Sequence, residues 1–108
     1  MDYIALQEKR GANYVLLEVN GVITSNTFTE MQGKVYDMIN KSNLVLDLSE
    51  VQKIDSSGLS VIMAAHNDGE EIGNKLYLMR PSLDARRAIE STGFLDTFNV
   101  IQSVTEVL

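Results

Sequence analysis

The stretch Leu44-Val-Leu-Asp-Leu-Ser-Glu-Val-Gln-Lys-Ile-Asp-Ser-Ser-Gly-Leu59 leaves few folds open. Leu44-Val-Leu-Asp-Leu48 is a short apolar run that suits a strand covered on both faces, as at the centre of an α/β sheet. A short loop should follow it, and Asp55-Ser56-Ser57-Gly58 then opens a helix. That helix carries Leu59, Ile62, Met63 and His66 on one face and should stop before Gly73. The join places two hydroxyls at a helix N-terminus, where unpaired N–H groups and the positive end of the helix dipole favour a phosphate.

The flanking sequence extends the pattern. Residues 3–9 and 14–19 surround Arg10-Gly-Ala-Asn13 and read as a hairpin, which Gly21 ends. From Thr27 the apolar period becomes helical through Phe28, Met31, Val35, Met38 and Ile39, and Thr27 with Glu30 is a candidate capping box, with Ser25 or Asn26 as alternative caps. Gly69 inside the second helix disfavours its last turn, which is expected to fray. Residues 75–79 form a strand, Ser82 caps a third helix that runs on to Gly93, and residues 98–101 form a last strand, with one helical turn after it. The predicted order is β-β-α-β-α-β-α-β. It describes one α/β domain over residues 1–108, a mixed sheet of four to five strands with helices packed on it.

Composition narrows the chemistry. Hydrophobic residues make up 44% and charged ones 22%, which is ordinary for a folded chain, and the net charge of −6 disfavours binding to nucleic acid. Without cysteine there are no disulfides, thiolate metal sites or cysteine nucleophiles. No apolar run approaches the ~20 residues that cross a bilayer, and the first residues lack a signal-peptide pattern. We therefore expect a cytoplasmic protein with no membrane insertion.

Few side chains suggest catalysis. His66 is the sole histidine and lies on the helix that Ser56 opens, without a nucleophile elbow or metal-ligand spacing nearby. It is expected to be partly buried and hydrogen-bonded. Asp47, inside an apolar strand, is expected to bind a loop N–H. Arg86 and Arg87 point in different directions on a helix, as solvated charge, and Met31, Met38, Met63 and Met79 fall at core-type positions. Asp55-Ser56-Ser57-Gly58 has two readings. Either it is a well-made helix cap with Gly58 allowing close packing, or it is a phosphoacceptor whose added charge would repel an acidic partner surface without unfolding the domain.

The chain resembles the STAS domain family, most closely its small bacterial members, the anti-sigma factor antagonists. The resemblance rests on residues 46–62, on Gly73-Asn-Lys-Leu-Tyr-Leu78 and on Ser91-Thr-Gly-Phe-Leu95. It implies that Ser56 is the phosphorylated serine, with Asp55 the neighbouring acid and Ser57 the small residue after it. It further implies a binding module and not an enzyme, with no cofactor. The unphosphorylated antagonist binds an anti-sigma factor that is also a serine kinase and so frees the sigma factor. Phosphorylation separates the complex, and a serine phosphatase resets it. The expected partner surface comprises the first half of the Ser56 helix, Gly58 included, the Gln52-Lys53 loop and the 21–26 turn. One departure stands out. The family's Gly-Glu-Leu-Asp segment is here Gly21-Val-Ile-Thr24, so Thr24 occupies the place of an acid near the phosphoacceptor. The alternative is a STAS subunit or sensor module of a lipid-transport or signalling complex that is not phosphorylated.

Overall fold

A computed structural model describes residues 2–107. The hairpin consists of β1 (Ile4–Arg10) and β2 (Tyr14–Ile23), paired antiparallel. Helix α1 (Phe28–Ile39), strand β3 (Asn43–Ile54), helix α2 (Ser56–Ile72), strand β4 (Leu76–Met79), helix α3 (Leu83–Glu90) and strand β5 (Asn99–Ile101) follow in the predicted order. The five strands lie side by side in sequence order, with β2 to β5 parallel. All three helices pack on one face. There Leu17, Leu44, Leu46, Leu48, Leu76 and Leu78 of the strands meet Met31, Ile39, Ile62 and Ile89 of the helices, all almost wholly buried. The other face carries a smaller core of Leu16, Val45, Tyr77, Met79 and Ile101, with Val104 and Val107 packed against it. A 3-10 turn, Val104–Glu106, holds these last residues in place and is closed by a capping box between Ser103 and Glu106.

Five local expectations are corrected. Gly21 does not end β2; it takes φ +110° within the strand, which continues to Ile23. The loop expected after Leu48 is strand, because β3 runs on to Ile54. Its pairing with β2 slips twice, between Glu18 and Asn20 and between Gly21 and Val22, so inward positions change from every second residue (Leu44, Leu46, Leu48) to every third (Val51, Ile54). Bulges of this kind break the alternation by which a strand is recognised. Thr27 forms no capping box, since its hydroxyl is turned inward to donate to the Val22 carbonyl at 2.8 Å. The last turn of α2 is intact to Ile72, because Gly69 is a packing position where a Cβ would run into the Asn74 carbonyl and press on Ile39. Helix α3 stops at Glu90 rather than Gly93.

Asp47 binds an N–H as expected, but one of its own strand β3 and not of a loop. It is buried, at 4% exposure, and its Oδ1 accepts the Ser49 N–H at 3.0 Å. Its Oδ2 accepts from the Arg80 guanidinium at 2.9 Å. Arg80 is held at φ +46°, uncommon for a residue with a side chain, and its N–H donates to the Ile101 carbonyl at 2.9 Å. Burial pushes the Asp47 carboxyl up, but the Ser49 donors and Arg80 outweigh it and leave it below the usual carboxylate range. A carboxylate depressed on folding stabilises the protein above its unfolded value, about 3.9, and that stability is lost as pH falls through the folded value. Acid titration of stability should therefore be shallower below roughly pH 4 in Asp47→Asn than in the unmodified chain. Equal slopes by urea denaturation below about pH 4 would show that Asp47 does not contribute.

Candidate functional site

The end of β2, the turn after it, the end of β3 and the start of α2 converge at one edge of the sheet. Asp55 joins them. It is the N-cap of α2, with extended backbone, and its Oδ1 accepts from the N–H groups of Ser57 at 2.9 Å and Gly58 at 3.2 Å. Its Oδ2 accepts the Ser25 N–H at 2.9 Å, and its own N–H donates to the Ile23 carbonyl at 3.1 Å. Partial burial raises this carboxyl, but the N–H groups of Ser25, Gly58 and Ser57, with the charge of Lys53, hold it below the ordinary range. It is thus ionised at neutral pH.

This corrects the reading of the helix end as an open anion cradle. The Ser57 and Gly58 N–H groups are filled by the Asp55 carboxylate, and the Leu59 N–H donates to the Asp55 carbonyl. A phosphate on Ser56 would meet a helix end already occupied by an anion. Ser56 itself is exposed, and its hydroxyl makes no hydrogen bond among the described residues. Ser57 is half-buried. Gly58 is buried, and a Cβ there would come within 2.6 Å of the Ile23 carbonyl oxygen, so α2 can start this close to β2 only with glycine at that position.

Thr24 is buried and central to the neighbouring turn. Its carbonyl accepts the Phe28 N–H at 2.8 Å, which caps α1 from the backbone, and its N–H donates to the Thr27 hydroxyl at 2.9 Å. Its own hydroxyl donates to Asp2 Oδ2 at 3.0 Å, and the Asn26 side-chain amide donates to the same oxygen at 3.1 Å. A carboxylate absent from position 24 in the sequence is therefore brought to it from position 2. The Asn26 and Thr24 donors, with Lys53, hold the Asp2 carboxyl below the usual range. Spacing along the chain gives no hint of this contact. The hairpin register does, since Ile4 lies opposite Gly21 and two further residues carry the strand back beside 23 and 24.

The expected site residues fall together, with one change of character: Gln52 and Lys53 are exposed residues at the end of β3 and not a loop. The residues set aside as structural lie elsewhere. His66 is largely buried, 3.8 Å from Glu70, and its ring meets Phe98 edge-on at 5.5 Å. Arg86 pairs with Glu90 at 3.1 Å. Two clefts of about 370 and 520 Å³ open at the hairpin turn and beside Arg80, and neither is lined by Ser56, Asp55 or Thr24. Among the described residues there is no group of acidic and histidine side chains placed to hold a metal, and no helix is long and apolar enough to cross a membrane.

The family model of the STAS domain matches residues 3–107. The chain belongs to the STAS domain family. Solved STAS structures share its fold. An anti-sigma factor antagonist from Mycobacterium paratuberculosis superposes with a TM-score of 0.85 at 22% identity, over 97% of this chain and 91% of that one. The anti-sigma factor antagonist SpoIIAA of Bacillus is similar in its unphosphorylated form (TM-score 0.78, 17% identity, 94% of this chain and 91% of that one). Its phosphorylated form is similar too (TM-score 0.73, 17% identity, 94% and 95%). The chain of SLC26A9 contains the same fold, with a TM-score of 0.72 at 16% identity, over 86% of this chain and 19% of that much longer one. No curated protein sequence matches the chain.

Proposed function

We propose that this STAS domain is an anti-sigma factor antagonist switched at Ser56. In its unphosphorylated form it binds an anti-sigma factor that is also a serine kinase, and so releases the sigma factor. Phosphorylation of Ser56 ends the complex, and a serine phosphatase restores it. The chain acts by binding, as a substrate of the kinase and not as an enzyme, in the cytoplasm and without contact to nucleic acid. One observation carries the reading: Ser56 is exposed, and its hydroxyl makes no hydrogen bond among the described residues, at the start of a helix that Asp55, Ser25 and Gly58 hold against the sheet. A hydroxyl so placed can receive a phosphate while every bond that maintains the fold is kept. The partner surface takes in Ser56, Ser57, Lys53 and the 24–26 turn, with Asp55, Thr24 and Gly58 setting its shape.

The test is incubation with a histidine-kinase-like anti-sigma factor from the same organism and ATP, followed by mass mapping of the phosphate. Modification should fall on Ser56, and Ser56→Ala should bind the anti-sigma factor as the unmodified chain does while remaining unphosphorylated. Phosphate on Ser57 or Ser60, or none on a chain that binds, would defeat the switch.

The likeness to part of the much longer SLC26A9 chain supports a second reading, in which the domain is a constitutive subunit of a lipid-transport or signalling complex and Ser56 is only the first residue of a capped helix. Binding that persists undiminished in Ser56→Asp would select it.

A further inference from the structure

Asp2 precedes the first strand, yet its carboxylate is fixed. Oδ2 accepts both the Thr24 hydroxyl and the Asn26 amide, and the carbonyl of the next residue, Tyr3, accepts the Val22 N–H at 2.9 Å. Strand β2 is shaped to receive this strap. Gly21 adopts φ +110°, and a Cβ at that position would collide with the Tyr3 carbonyl, so the strap lies flat only against glycine. An exposed carboxylate ordinarily loses rotamer freedom when a partner engages it. Here that ordering is complete before any partner arrives. Oδ1 takes no hydrogen bond among the described residues, and Asp2 as a whole is exposed. On the other side of the same turn Asp55 grips the Ser25 N–H, so the 24–26 turn is clasped between two carboxylates and carries both to the surface that Ser56 opens.

We propose that Asp2 is a partner-binding residue of this surface, presenting its spare oxygen to a lysine or arginine of the protein that docks over Ser56. The inference rests on the switch reading above and adds a contact to it. A fixed carboxylate with one open oxygen suits a single charge-assisted hydrogen bond. Its place at the rim means that it acts chiefly on encounter, through kon and salt dependence.

The experiment measures kon, koff and Kd for the unphosphorylated full chain and the anti-sigma factor at low and physiological salt, with Asp2→Asn, Asp2→Ala and Asp2→Glu beside the unmodified protein. Amide exchange is followed at Ser25 and Asn26. Asp2→Asn removes the charge but keeps an acceptor for Thr24, so the turn should stay protected while binding weakens about 5-fold at low salt with a shallower salt dependence. Asp2→Glu should recover part of the loss. Asp2→Asn binding as tightly as the unmodified chain overturns the inference and leaves the switch standing. Weakened binding with unchanged salt dependence and lost protection of the turn also overturns it, since Asp2 would then only brace the fold. If the unmodified chain does not bind, the switch reading falls and takes this contact with it.

Discussion

Ser56→Asp should weaken binding to the anti-sigma factor by roughly 100-fold or more while leaving the domain folded. Ser56 is exposed and its hydroxyl makes no hydrogen bond among the described residues, so the substitution breaks nothing within the chain. What it adds is a negative charge beside a carboxylate that already holds the neighbouring N–H groups. The N–H groups of Ser57, Gly58 and Leu59 are committed to Asp55, and Asp55 is itself ionised, with both carboxylate oxygens occupied. The charge of Lys53 reaches both Asp55 and Asp2, so it is already shared between them. In solution water screens the new carboxylate. Under a docked partner that screening is lost, and an uncompensated buried charge costs several kcal/mol. Calorimetric titration against the anti-sigma factor, with the thermal midpoint as a control on folding, decides the matter. Undiminished binding would mean that Ser56 lies outside the interface.

Glycines at two helical positions should respond to alanine with opposite sign. Gly58→Ala is expected to destabilise the domain by up to about 2 kcal/mol, the balance between a gain of about 1 from helix propensity and a loss of about 1–3 from overpacking. The added Cβ would lie 2.6 Å from the Ile23 carbonyl oxygen, 2.7 Å from Ile23 Cγ2 and 2.9 Å from Ile54 Cγ2. That carbonyl cannot retreat freely, because it also accepts the Asp55 N–H. The start of α2 must move instead, and Ser56 with it, so binding should fall along with stability. Gly33 lies in the middle of α1 with open space where a Cβ would go, and Gly33→Ala should stabilise by about 0.5–1 kcal/mol. Urea denaturation of both variants measures the pair. Equal signs would show that α2 does not rest on the end of β2 as described.

The order and type of the main elements were legible in the sequence because each carried its own period: the apolar run at Leu44, the helical spacing from Phe28, the Asp55 and Ser82 caps. What escaped depended on contacts between distant residues. The second half of β3 resembled a loop because two register slips against β2 abolish the alternation there, and slips arise from pairing rather than from local preference. Thr27 carried the signature of a cap, but the buried turn claimed its hydroxyl first. Within the site, Asp55, Ser56, Ser57 and Gly58 could be picked out because they are consecutive. The occupied state of the helix end and the arrival of Asp2 at Thr24 could not, since one is a matter of side-chain direction and the other of a contact spanning the hairpin.

Because the strands lie in the sheet in the order in which they are made, each one pairs with a neighbour already synthesised and none has to be inserted between two others. The long pairing of β2 with β3, the clasped turn and the start of α2 can all assemble before β4 exists, so a chain emerging from the ribosome meets few competing pairings. The later strands then extend the sheet away from Ser56, and changes in the last third of the sequence can alter how fast the domain is completed without redrawing the surface that a partner reads.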